Sequence, residues 1–281
     1  MPEFILPANL ARLGIKRVVE NPNKRLIVST RAQPKCGKTH FATTAPGPIF
    51  YLNIDQGDEG VVDKQIAKNP HKAIYKKDLF IPKGGKDRDH AKLWKEFTDT
   101  WEAVIDSGKF RTVAVDTAGD LWELLRLVRF GKLEQVPPEK YGPVTIEYCE
   151  MMNLPKQDPT LNAVYIHKLK KQYSRGGKKA DGGQARGDWT GQWELKGCAE
   201  LSYVSQVNIE QYRLDQFNGI RPFGIRVIDS RVNPDCDGLE LTTIGPGPIN
   251  SPEDADPTMD VCDFANLGLN LYSDSEPKDW E

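Results

Sequence analysis

The segment Arg31–His40, "RAQPKCGKTH", sets a lysine and a threonine directly after a glycine (Gly37, Lys38, Thr39), with Ala32 five residues before that glycine. This is the order of a phosphate-binding loop. In such a loop, backbone N–H groups converge on phosphate oxygens at a helix N-terminus, where the helix dipole favours negative charge. The lysine reaches the outer phosphates and the threonine hydroxyl ligates Mg²⁺. A glycine normally opens the loop. Ala32 adds one methyl group there, which a negative φ tolerates. Ala32, Gln33, Pro34, Lys35, Cys36, Gly37, Lys38 and Thr39 form the candidate cradle, with Lys38 also a candidate catalytic residue.

Such a site needs a carboxylate at the end of an apolar strand to hold the metal ion beside the loop. "TVAVDT" supplies Asp116, 77 residues beyond Thr39. Thr39 and, through water, Asp116 are the candidate Mg²⁺ ligands. A further carboxylate must polarise the attacking water. "FYLNIDQGDEG" offers Asp55 just past its apolar run, with Asp58 and Glu59 close behind. Asp55 is the preferred candidate.

The elements that must position these groups follow from local pattern. "RLIVST" (residues 25–30) is a β-branched, apolar run that reads as a buried strand, and "KTHFATTA" opens a helix after it. "GPIFYLNID" and "RTVAVDT" read as the second and third strands, and "NAVYIHK" (162–168) as the fourth. Leu93, Trp94, Phe97, Trp101, Val104 and Ile105 recur at helical spacing, with Gly108 as a stop. Residues 120–130 read as another helix and 193–204 as a further one. "VNIEQYRL", "FGIRVIDSRV" and "LELTTI" read as late strands. Alternating strands and helices predict an α/β fold with a mostly parallel sheet flanked by helices.

The 281 residues allow one large domain: a lead-in over 1–24, a core over 25–247 and an acidic tail over 248–281. No run approaches the roughly 18 apolar residues of a membrane span. The N-terminus lacks a basic segment before its short apolar stretch, which argues against a secretory signal. The five scattered cysteines suggest neither zinc nor a disulfide framework, as expected of a reducing cytoplasm. Net charge is −2, but it is unevenly spread. Residues 168–187 hold seven bases and one acid, whereas 251–281 hold nine acids and one base. The tail reads as partly disordered.

With these motifs in place, the chain resembles the compact phage-encoded RecA-like ATPases of the Sak-four type, which are single-strand annealing or recombination proteins. The corresponding positions read "AQPKCGKT" (32–39), "NIDQG" (53–57), "AVDT" (114–117) and "VYIH" (164–167), within a match over residues 25–205. There are two departures. Ala32 stands for glycine. Asn53 and Asp55 stand where the family has Asp and Glu, and the shorter Asp55 could slow hydrolysis. The resemblance implies a RecA-like P-loop NTPase core, ATP as nucleotide, and a ring or filament of identical subunits. It implies that His167 senses the γ-phosphate and passes its state to a DNA loop behind it. A basic residue from a neighbouring subunit, on the basic loop or Arg231, would complete the site. A single-strand-binding protein is a further expected partner, and the host cytoplasm the expected compartment.

The basic segment 168–190 begins where that DNA loop is expected. Lys168, Lys170, Lys171, Arg175, Lys178, Lys179 and Arg186 could neutralise phosphates without sequence preference. Tyr173, Trp189 and Trp193 offer faces for unpaired bases, although Trp193 also reads as a core residue. The expected function is ATP-dependent binding of single-stranded DNA with coupled hydrolysis. Two alternatives stand beside it. The basic loop could be the lid of a P-loop kinase acting on a small molecule or nucleotide. Alternatively, the chain could be a nucleotide-gated DNA-binding module with negligible hydrolysis.

Overall fold

The computed structural model describes residues 24–58, 60–82, 87–131, 136–174, 187–214, 222–242 and 262–280, together with Arg12. Apolar, β-branched runs bounded by Gly, Pro or Asp form strands because stiff side chains suit a pleated surface. The strands are β1 (Ile27–Ala32), β2 (Ile49–Asn53), β3 (Ile74–Asp78), β4 (Thr112–Asp116), β5 (Asn162–Tyr173), β6 (Trp189–Lys196), β7 (Val207–Arg213), β8 (Phe223–Ser230) and β9 (Glu240–Thr242). They make one sheet in the order β3-β2-β4-β5-β1-β7-β8-β9, with β6 pairing the outer half of β5. The first five strands and β7 run parallel, and the pairs β7–β8, β8–β9 and β5–β6 are antiparallel.

Helices α1 (Lys38–Thr44), α2 (Val61–Lys68), α3 (Asp87–Asp106), α4 (Ala118–Phe130), α5 (Tyr141–Asn153), α6 (Leu201–Val204) and α7 (Phe264–Leu271) cover the sheet. Alternation along each strand divides the core in two. Ile27, Val113, Val115, Ala163 and Tyr165 face Phe97, Trp101, Leu121, Leu125, Tyr148 and Met152 of α3, α4 and α5. Val28, Tyr51, Ala114, Val164 and Ile166 face Phe41 of α1 and Phe264, Leu267 and Leu271 of α7. Central strands buried on both sides explain why these stretches are mostly apolar.

Two sequence expectations change. Residues 193–196 are the end of strand β6, so the helix expected over 193–204 shrinks to Leu201–Val204. β6 pairs with the basic continuation of β5, which gives its backbone a partner that a helix would not need. The second half of the tail is folded: α7 and the turn Pro277–Trp280 bury Phe264, Leu267, Leu271 and Trp280 against α1 and the sheet. Residues 248–261 lie outside the described residues. In the sheet, β5 lies between β1 and β4, so the Asp116 strand does not adjoin the strand leading into the phosphate loop.

Candidate nucleotide site

Ala32 is the last residue of β1, fully buried, with Lys168 and Gln211 beside it on the neighbouring strands. It is not among the residues with positive φ, which is why alanine is tolerated. Gln33, Pro34 and Lys35 are exposed and Cys36 is buried. Lys35 (φ 62°) and Gly37 (φ 89°) take left-handed conformations that bend the loop back onto the N-terminus of α1. A Cβ on Gly37 would stand 3.5 Å from the ring of Phe223.

Lys38 Nζ donates to the carbonyl oxygens of Ala32 (3.3 Å) and Gln33 (2.9 Å), both in its own loop. Burial lowers its pKa and Lys168 adds to that, while Asp116, Cys36 and Asp55 oppose it. The next residue, Thr39, donates a 2.7 Å hydrogen bond to Asp116 Oδ2. The same oxygen accepts from the Tyr51 hydroxyl at 2.5 Å. Burial, and then the charge of Asp55, push the Asp116 carboxyl up to about 6.

Asp55 lies just past β2. Its Oδ1 accepts from the Gly57 N–H at 2.9 Å, and its Oδ2 is 3.2 Å from Lys168 Nζ. Asp58, the other described candidate, is buried and held from both sides. It accepts from Asn53 at 2.9 Å and pairs with Lys76 at 3.1 Å. It braces the β2–β3 edge and is not available as a base. Glu59 lies outside the described residues.

His167 ends the buried part of β5 beside Arg31. It is fully buried, and neither ring nitrogen has a hydrogen-bond partner. Burial, with Arg31 nearby, lowers its pKa to about 4, so the ring is neutral at physiological pH. Its side chain lies on the sheet face opposite Asp116: Tyr165, two residues before it, packs with α3–α5, whereas Asp116 bonds to α1. His167 Nδ1 stands 3.4 Å from where a Cβ on Gly197 would be, at the base of the β5–β6 hairpin. It therefore adjoins the base of the hairpin as well as Arg31, the residue before the phosphate loop.

The residues expected on the basic loop divide. Lys168 belongs to the site: its ammonium lies 2.6 Å from Asp120 as well as 3.2 Å from Asp55. Lys170 pairs across the hairpin with Glu194 at 3.2 Å, and Lys171 lies 4.9 Å from the centre of the Trp189 ring. Trp193 is 37% exposed and packs edge-on to Trp189, so it is not core. Arg175, Lys178, Lys179 and Arg186 lie outside the described residues. Arg231 is exposed just after β8, whose antiparallel course takes it to the end of the sheet opposite the phosphate loop. Sequence reasoning missed Tyr51 and Asp120. Tyr51 reads as one more apolar strand residue, and Asp120 as a helix-start acid.

These residues fit a Mg²⁺–nucleotide. An ammonium bonded, among the described residues, to neutral carbonyls at a helix N-terminus suits an anion. One hydroxyl and one carboxylate on a single spot suit Mg²⁺, which keeps waters and phosphate oxygens as its other ligands. Among the described residues no cluster of three or more His, Cys, Asp or Glu could hold a metal by itself.

The α/β fold with a mostly parallel sheet flanked by helices is the fold class expected, and a phosphate-loop sequence after β1, an Asp-ended β4 and an intervening β5 are consistent with a RecA-like P-loop core. No protein-family model and no curated protein matches the sequence. Among solved structures, a prototypical ATPase from the type III secretion system of pathogenic bacteria superposes with a TM-score of 0.44 at 14% identity. The superposition covers 66% of this chain and 50% of that one, so this chain spans about half its length.

Proposed function

We propose that this chain binds ATP with Mg²⁺, hydrolyses it, and uses the nucleotide to control single-stranded DNA held on the β5–β6 hairpin. The observation that carries the reading is the continuity of β5. One strand, Asn162–Tyr173, runs from the buried sheet past His167 and Lys168 and out to Lys171 and Tyr173 on the hairpin. A displacement at the site is thereby a displacement of the hairpin. There, Tyr173, Trp189 and Trp193 are 39%, 49% and 37% exposed. Large aromatic faces in water beside Lys170 and Lys171 suit stacked bases and their phosphates. Arg175, Lys178, Lys179 and Arg186 follow in the same basic stretch of sequence, outside the described residues.

In this reading Lys38 and the loop N–H groups bind the phosphates, and Thr39 and Asp116 would hold Mg²⁺, which supplies neutralisation of phosphate charge. Asp55 orients and deprotonates the attacking water. Arg231 faces away from its own loop, so it could complete only a neighbour's site, in a ring or filament of head-to-tail subunits. Recombination or annealing of DNA strands is the biological role this combination supports.

The test is fluorescence anisotropy of a labelled oligo-dT with no nucleotide, with Mg²⁺–ADP and with Mg²⁺–ATP. The reading predicts tightest binding with ATP and a steep loss with salt. Equal affinity in all three states, or no binding in any, would overturn it.

A further inference from the structure

Lys168 stands beside Ala32 in the β1–β5 register, at the first residue of the phosphate loop. Its side chain reaches across to two carboxylates, Asp55 at 3.2 Å and Asp120 at 2.6 Å. Asp120 is shared: its other oxygen is 3.4 Å from Lys196 at the end of β6. Asp120 also accepts from Thr117 at 2.8 Å, which fixes it at the start of α4. Lys168 holds one oxygen of Asp55 and the Gly57 N–H the other. The proposed base is therefore tethered in this arrangement, and the tethering group is a cation at the mouth of the phosphate site.

Burial opposes the charge of Lys168, but Asp120 and Asp55 outweigh it and raise its pKa, so the ammonium stays charged. It is close enough to Lys38 to lower that group's pKa. Two like charges held this near each other gain from an anion between them.

Resting on the nucleotide-site reading, the geometry points to Lys168 as the residue that distinguishes triphosphate from diphosphate and that releases Asp55 from its ion pair. With a triphosphate on the loop, Lys168 Nζ leaves Asp55 for an outer phosphate oxygen and keeps Asp120. Asp55 is then free to orient water. With a diphosphate, no outer oxygen is within reach and Lys168 returns to Asp55. Lys168 is itself part of β5, and Asp120 ties it to Lys196 of β6, so the exchange reaches both strands of the hairpin.

The experiment is isothermal titration of the full chain with Mg²⁺–ATP and Mg²⁺–ADP, for the native protein, Lys168→Met and Lys168→Arg. Loss of a charge-assisted hydrogen bond is expected to weaken ATP about tenfold in Lys168→Met while ADP changes less than about twofold. Lys168→Arg keeps the charge and is expected to retain the preference for ATP. Equal weakening of both nucleotides in Lys168→Met, or no change in their ratio, would contradict the assignment while leaving the nucleotide site intact. If the native chain binds neither nucleotide, the site reading itself fails, and the inference with it.

Discussion

Thr39 and Asp116 are separated by 77 residues, yet the hydroxyl of one donates to the carboxylate of the other at 2.7 Å. Neither belongs to a strand adjoining the other, since β5 lies between β1 and β4. The contact exists because α1 leans back over the C-terminal ends of the parallel strands, where α/β sheets place their ligands. Tyr51 on β2 closes the same carboxylate oxygen from the other side at 2.5 Å.

Tyr51→Phe removes one of two hydroxyl donors from a buried carboxylate and leaves its packing unchanged. A charged acceptor that loses such a partner is worth about 1.5–3 kcal/mol less as an ion. Mg²⁺-dependent nucleotide binding at neutral pH is expected to weaken about tenfold, with nucleotide binding in EDTA much less affected. Paired titrations with and without Mg²⁺ measure this.

Asp116 and His167 give the apoprotein two opposed pH dependences. Asp116 is raised from 3.8 to about 6, so its contribution to stability is full below pH 3.8 and is lost as pH rises through about 6. His167 is lowered from 6.5 to about 4, so its contribution is present above pH 6.5 and is lost as pH falls through about 4. Each displacement corresponds to roughly 3 kcal/mol. The two nearly cancel between pH 4 and 6.5, so Asp116→Asn is expected to stabilise the nucleotide-free chain at pH 7.5 by up to that amount and to unmask a rise of stability with pH across that window. His167→Phe is expected to unmask the opposite, a fall of stability as pH rises from 4 to 6.5. Urea denaturation across pH 4–8 separates the two.

The hairpin aromatics are exposed, so removing them should leave folding intact. Trp189→Ala and Trp193→Ala are each expected to weaken single-stranded DNA by about 1–3 kcal/mol with little change in melting temperature. Lys171→Gln should lower the slope of log affinity against log salt by about 0.7. Anisotropy titrations at several salt concentrations test both.

The C-terminal segment is a structural cover over the phosphate-loop helix. Phe264 packs against Phe41 with ring centres 5.7 Å apart and planes tilted by 41°, and its N–H donates to Thr44 Oγ1 at 3.0 Å. Trp280 is buried against Gly268, where an added Cβ would meet the ring at 2.4 Å. Gly268→Ala is expected to destabilise by about 1–3 kcal/mol through overpacking, and Trp280→Ala by about 3–5 kcal/mol through the cavity it leaves. Thermal unfolding monitors both, and nucleotide should recover part of the loss by binding only the folded state.

Much of this architecture is legible in residue patterns. The apolar runs that become β1, β2, β4 and β5 are read correctly because strands buried on both faces are mostly apolar. The loop from Ala32 to Thr39 is readable because its chemistry is local. β6 is not: Trp189–Lys196 mixes tryptophan, glycine and charge without clear alternation, and only pairing with the basic half of β5 makes it a strand. α7 is hidden by the acids on either side of "FANLGLNL", which mask a short apolar helix. The role of Lys168 is also hidden. Among seven basic residues in one segment, nothing local says that one turns inward to Asp55 and Asp120.

The most direct measurement is phosphate release from Mg²⁺–ATP, with and without single-stranded DNA, for the native chain and Lys38→Ala. Turnover that rises with DNA and falls by about 10²–10³ in the variant is the predicted result, since loss of one preorganised phosphate donor costs about that much. Turnover that ignores DNA, or that survives Lys38→Ala, would contradict the coupling of this phosphate loop to the β5–β6 hairpin.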